Sequence, residues 1–63
     1  MIVVNRLDGK EYVLNCLLIE TLEKTPDTVV TLTNGKKYVV LQSVENIVEQ
    51  FEIFIKRTHA IKY

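Results

Sequence analysis

The sequence predicts a small α+β domain, in which an antiparallel sheet of about five short strands precedes one C-terminal amphipathic helix. Two observations predict the sheet: Asp8-Gly9 and Asn34-Gly35 each lie between short apolar runs rich in β-branched residues, the pattern of a β-hairpin. A third predicts the helix, since the apolar residues take a helical spacing after Ser43. We expect one domain over residues 1–63, with strands over about 2–41, the helix over about 43–58 and a tail at 59–63.

The first hairpin is expected over Ile2–Leu14, and the second lies within Thr25–Val40, the stretch around which the rest of the chain is organised. Each Asx-Gly pair predicts a two-residue type I′ turn, because that turn needs φ > 0 at both central residues. The sheet that results is open or curled into a small barrel, and the sequence leaves both forms open.

The two hairpins also resemble each other in sequence. Residues of the first recur 26 positions later, and Asn34 takes the place of Asp8; the repeated residues are Val3, Val4, Gly9, Lys10, Tyr12 and Val13. One interpretation is a pseudo-symmetric core made by two equivalent hairpins. The other, which we favour, is that any two such hairpins share turn chemistry.

The segment between the hairpins fits two descriptions. Asn15 could cap a short helix, because Leu18 and Leu22 fit a helical period. Residues 19–23 also fit a strand that pairs with the next one across Pro26, a residue favoured in turns. We favour a single turn after Asn15 followed by the strand, which places Glu20 on the face of Leu18 and Leu22, as an edge residue or a carboxylate that needs a partner.

Ser43 begins the helix as its N-cap, with Asn46 where a capping box would have Glu or Gln. One apolar stripe follows at i, i+3, i+4 and i+7 spacing, and Ile53 lies off it; the stripe consists of Val44, Ile47, Val48, Phe51, Phe54 and Ile55.

Composition limits the classes of protein that fit. With 63 residues, 48% of them hydrophobic, the chain is one ordered domain with little interior, so we expect apolar surface to remain for a partner or a second copy. A formal net charge of zero disfavours a dedicated nucleic-acid binder. Cys16 is the only cysteine, which fits a reduced cytoplasmic compartment, and the N-terminal apolar run is too short for a signal peptide or a membrane span.

These motifs resemble the FlbD/SwrD family of small flagellar proteins. The resemblance rests on the order of five motifs: Gly9-Lys10, Ile19-Glu20, Thr25-Pro26-Asp27-Thr28, Asn34-Gly35-Lys36 and Ser43-Val44. It covers about nine tenths of the chain. Gln42 stands where the family usually has an acidic residue.

The resemblance implies a role in flagellar motility, especially swarming, by supporting the power output of the flagellar motor. It assigns no catalytic residue and no cofactor. It implies a partner in the motor or basal body, and a cytoplasmic location at the motor on the inner face of the membrane.

The residues themselves suggest no reaction centre. His59 has no second ligand in metal-binding spacing and is expected in a solvated tail. Cys16 is expected to be a small buried residue and Ser43 a cap, because neither belongs to a nucleophile arrangement. Glu20 and Glu23 would face opposite sides of a strand and form no acid/base pair. We therefore predict a non-enzyme without cofactor or metal.

Two surfaces are candidates for contact with partners. One is a basic patch at the hairpin turns, formed by Lys10, Lys36, Lys37, Tyr12 and Tyr38. The same lysines could simply solvate exposed strand edges. The other is the helix face of Phe51, Ile53, Phe54 and Ile55, to which Ile61 and Tyr63 add apolar surface.

The functional hypothesis is a flagellar accessory protein that acts through protein contacts and forms homo-oligomers through the sheet edge and the helix face. The first alternative is a small nucleic-acid-binding regulator, since the element order from Ile19 onward resembles the DNA-binding LytTR domain. The second is a membrane-surface protein, which the glutamates of the helix disfavour. No membrane insertion is expected.

Overall fold

The computed structural model describes residues 1–58 and confirms the predicted α+β class. The elements are β1 (Ile2–Asn5), β2 (Glu11–Leu14), β3 (Ile19–Lys24), β4 (Thr28–Leu32), β5 (Lys37–Val40) and α1 (Val44–Thr58). A 3₁₀ turn, Cys16–Leu18, connects β2 to β3. The predicted tail at 59–63, with His59, Ile61 and Tyr63, lies outside the described residues.

The strands form two antiparallel sheets. β1 pairs with β2, while β3, β4 and β5 pair in that order. The sheets meet where Arg6 and Val40 form an isolated bridge and the Leu41 N–H donates to the Asn5 carbonyl at 2.8 Å. Of the two forms left open by the sequence, the structure has the open one, because the strands do not close into a barrel.

Both hairpin loops have three residues, so the predicted two-residue type I′ turns are wrong. In the first loop the Gly9 N–H donates to the Arg6 carbonyl and the Arg6 N–H donates to the Lys10 carbonyl, both at 2.8 Å. Gly35 and Leu32 repeat the first of these bonds at 2.9 Å. Each glycine has positive φ, 92° at Gly9 and 89° at Gly35, as in a type I turn followed by a left-handed glycine.

The two hairpins share the same strand register. Val4 lies opposite Tyr12 in the first, as Val30 lies opposite Tyr38 in the second. The burial patterns of β2 and β5 are identical. The strands before the turns differ in burial, since Asn5 and Arg6 correspond to the buried Thr31 and Leu32, so the likeness is one of turn, register and return strand.

The ambiguous middle segment has the favoured arrangement of a single turn followed by a strand. The Asn15 side chain accepts the Leu17 N–H at 3.1 Å and caps the 3₁₀ turn. The register then shifts between Ile19 and Thr21, so Ile19 and Leu22 face the core instead of alternate residues. Because of this irregularity Glu20 does not share the inner face and is an exposed residue on an edge strand.

The core lies where the two sheets and α1 meet. Its buried members are Ile2, Val4, Leu14, Cys16, Val30, Leu32, Val40 and Ile47. Of these buried residues, only Ile47 comes from α1. The Ser43 Oγ accepts the Asn46 N–H at 3.0 Å, so Ser43 is the N-cap, as predicted. The helix packs against β1 and β3.

Two glutamine side chains bind the edge of β1 that is not paired with β2. The Gln50 Oε1 accepts the Val3 N–H at 2.8 Å, and its Nε2 donates to the Val3 carbonyl at 2.9 Å. The Gln42 Oε1 accepts the Asn5 N–H at 2.7 Å. The two amides bind backbone groups that a neighbouring strand would use, and Gln50, which belongs to α1, fixes the helix on the sheet.

Candidate protein-contact surfaces

The two hairpins bring Tyr12 and Tyr38 together. Their ring centroids are 5.7 Å apart and the planes are nearly perpendicular, the edge-to-face arrangement that aromatic pairs favour. Both rings are half-buried and pack against the core. The two tyrosines of the predicted basic patch are therefore neighbours, but much of their surface serves the fold.

Arg6 belongs to this surface, although the sequence analysis did not include it. Its Nη1 donates to the Tyr12 hydroxyl at 2.7 Å, and the guanidinium carbon lies 5.4 Å from the centroid of the Tyr12 ring. The hydrogen bond to Tyr12 is the main cause that raises the pKa of Arg6 above its ordinary value. The signal in the sequence was its place before the turn, six positions from an aromatic residue on the return strand.

The three lysines of the predicted basic patch do not all line the same depression. Lys37 lines a surface depression of about 380 Å³ together with Arg6, Asp8, Leu7 and Val39. Lys10 and Lys36 are exposed in the two turns and do not line it. The structure thus brings Lys37 and Arg6 together with Asp8 in one depression and leaves Lys10 and Lys36 in the turns outside it.

The predicted helix face is also divided. Phe51 and Ile55 line a depression of about 310 Å³ with Glu52 and Lys56. Ile53 and Phe54 line another one, of about 290 Å³, with Met1, Gln50 and Arg57. Ile53 is 46% exposed, as expected for a residue off the apolar stripe. Ile53 thus lies on a different side of α1 from Phe51 and Ile55, while Phe54 lines the Ile53 depression and also packs against the core.

A further apolar groove lies between β3 and α1, and the sequence analysis missed it. It has a volume of about 180 Å³ and is lined by Cys16, Ile19, Leu22, Ile47, Val48 and Phe51. Phe51 also lines the neighbouring depression on α1, so the two adjoin at this residue. The signal available in the sequence was Val48, whose place on the stripe predicts burial, while the structure leaves it 42% exposed.

The described residues considered for catalysis or metal binding either contribute to the fold or lie exposed at the surface. Cys16 is buried in the core, with its Sγ 3.6 Å from the N-terminal amine, and the Ser43 hydroxyl caps α1. Glu20 and Glu23 are exposed. Among residues 1–58 no group of three His, Cys, Asp or Glu side chains is placed to hold a metal ion. Within the same range no helix is long and apolar enough to cross a membrane.

Fold and surface together define a small α+β domain with an open sheet, one docked helix and apolar depressions along that helix. The chain belongs to the FlbD family of flagellar and swarming motility proteins, whose family model matches residues 1–59. No curated protein and no solved structure matches the chain.

Proposed function

We propose that the protein is a non-enzymatic accessory factor that supports the power output of the flagellar motor by binding a component of the motor or basal body. The family supplies the link to flagellar and swarming motility. The single observation that carries the contact mechanism is the apolar groove between β3 and α1, since an apolar concavity with exposed rim residues is typical of a binding site.

A domain of this size buries a smaller fraction of its surface in its own core than a larger domain does. At 63 residues the chain has a total stability of about 3–9 kcal/mol on typical values per residue. Val48 and Phe51 contribute apolar surface that stays partly exposed at the groove. A partner that covers them would remove this surface from water and stabilise the folded chain.

The test is a deletion of the gene in the source organism, with two readouts: the number of flagella per cell, and the rotation of a single motor under load. We expect normal numbers of flagella and weak rotation under load, restored by the gene supplied in trans. Missing filaments would contradict support of the motor and favour a role in assembly or in the control of gene expression. Normal filaments with normal rotation would contradict the proposal altogether.

A further inference from the structure

We propose that the groove between β3 and α1, together with the outer edge of β3, binds an extended basic segment of a partner protein in which apolar residues alternate with Lys or Arg. This inference rests on the proposed function, because it specifies the partner surface through which that function would act. It combines three independent features of the groove: its apolar lining, the strand edge beside it and the charge around it.

The lining accepts apolar side chains. It comes from three elements, with Cys16 from the 3₁₀ turn, Ile19 and Leu22 from β3, and residues of α1 opposite. A water molecule takes about 30 Å³ of liquid volume, so a groove of about 180 Å³ has room for larger groups. Apolar side chains are the ones that gain free energy by filling such a space.

The strand edge beside the groove accepts a backbone. β3 is the terminal strand of its sheet, and in the part of the chain that the structure describes no strand pairs with its outer edge. Such an edge presents a row of N–H and C=O groups to which an extended segment can add as a further strand. In an added strand every second side chain points to the same face. Alternate residues of the bound segment would therefore point into the groove.

The charge around the groove selects a basic segment. Exposed carboxylates outnumber exposed basic residues on β3 and α1, the two elements between which it lies: Glu20, Glu23, Glu45, Glu49 and Glu52 against Lys24, Lys56 and Arg57. On α1, Glu45 and Glu52 lie three residues before and four residues after Val48, so both flank it on the helix surface. Of these basic residues, Lys24 already lies 3.9 Å from Glu45.

A second copy of the chain fits this face less well than a basic partner. Two copies that met through the groove would bring their glutamates together, and like charges across an interface oppose association. Lys or Arg residues at the outward positions of a bound segment would instead face the carboxylates of the rim.

The first experiment titrates the purified full chain with a capped peptide in which Lys and Val alternate over seven positions, followed by NMR. We expect saturable shifts of the amides of β3 and of the side chains of Ile19, Leu22 and Val48. A peptide with Glu in place of Lys should bind at least about tenfold more weakly at low salt. Equal binding of both peptides, or no saturable shift at millimolar peptide, would overturn the proposal.

A second probe separates strand addition from side-chain binding alone. The same Lys/Val peptide, N-methylated at alternate amides so that one edge cannot donate hydrogen bonds, keeps its charge and its side chains. We expect the form methylated on the edge that meets β3 to lose binding by about tenfold or more. If both methylated forms bind as tightly as the parent, β3 does not pair with the segment.

Two matched variants of α1 locate the site. Val48→Lys places a cation in the groove, while Ile53→Lys makes the same kind of change at a similarly exposed position on the other side of the helix. V48K should weaken peptide binding by at least about tenfold and I53K should change it by no more than about twofold. The reverse order, or equal effects, would contradict the assignment of the groove.

The same variants in the source organism separate failure of this inference from failure of the proposed function. If the deletion reduces motor output and V48K behaves as wild type at wild-type protein levels, the groove is not the contact and the proposed function stands. If the deletion leaves motor output unchanged, the proposed function itself is wrong. We expect V48K to reproduce the deletion and I53K to retain more of the function.

Discussion

Gly9 and Gly35 have positive φ, a backbone conformation that residues with a side chain rarely adopt. A Cβ added at either residue would meet no atom within 4 Å, so space does not explain why glycine is present. The positive φ does, because the left-handed region costs a residue with a Cβ about 1–2 kcal/mol. Backbone conformation alone therefore determines the residue type at these positions.

Gly9→Ala and Gly35→Ala should each lower the free energy of unfolding by about 1–2 kcal/mol, because each places a Cβ at positive φ without a clash. Gly35→Asn is the control, since Asn adopts this conformation more readily, and it should cost less than Gly35→Ala. Urea denaturation measures all three. Equal stability of the alanine variants and the wild type would contradict the loop geometry.

Among residues 44–57 of α1, only the Ile47 side chain is fully enclosed by the core. Ile47→Ala should lower the free energy of unfolding by about 2–5 kcal/mol, a large part of the stability of so small a domain. Ile53→Ala, at an exposed position of the same helix, should change it by no more than about 0.5 kcal/mol. Comparable losses in the two variants would mean that α1 is not oriented as described.

At the scale of elements, the sequence predicted the two hairpins and the start of the helix, because a few neighbouring residues determine each of them. The Asx-Gly pairs identified both hairpins, and Ser43 identified the start of α1, since these signals act within three or four residues. The loop length was wrong because both turn types use the same residues, with Gly last. The face of Glu20 was wrong because one irregularity between Ile19 and Thr21 shifts the alternation, and nothing in the sequence marks it.

The attachment of α1 to β1 depends on contacts far apart in the sequence. Gln50 binds Val3 across 47 positions, and periodicity gives no sign of such a pair. The side chain satisfies one N–H and one C=O at a strand edge, and each such bond contributes about 0.5–1.5 kcal/mol. The glutamine therefore acts as a short substitute for a neighbouring strand.

Gln50→Ala should lower the free energy of unfolding by about 1–3 kcal/mol, because two hydrogen bonds to Val3 are lost. It should also accelerate hydrogen exchange at the Val3 amide, because that N–H would then be hydrogen-bonded only to water. Glu49→Ala, at the exposed position just before, is the control and should leave that amide protected. Unchanged exchange at Val3 in Gln50→Ala would show that this side chain does not hold the strand.

At the scale of the whole molecule, the charges are neutral in sum but separated in space. Basic residues dominate the hairpin turns, with Arg6 and Lys37 in one depression, whereas glutamates dominate β3 and α1. The sequence indicated the first group through the lysines near the turns. It could not indicate the groove, because Leu22 and Val48 come together only when β3 and α1 pack.

Self-association stays a prediction, and the division of α1 into two sides makes it specific. Ile53 is exposed beside Met1, in a depression that Arg57 also lines, and Glu49 lies four residues before Ile53 on the helix, so this side carries charges of both signs that can pair between two copies. A second copy should therefore bind through the Ile53 side.

Light scattering over a range of concentrations should show the mass of the wild type increasing. Ile53→Lys should suppress that increase, because it places a like charge at a paired apolar contact, and Val48→Lys should not. A mass equal to one chain at high concentration would contradict self-association, and suppression by Val48→Lys alone would place the second copy in the groove.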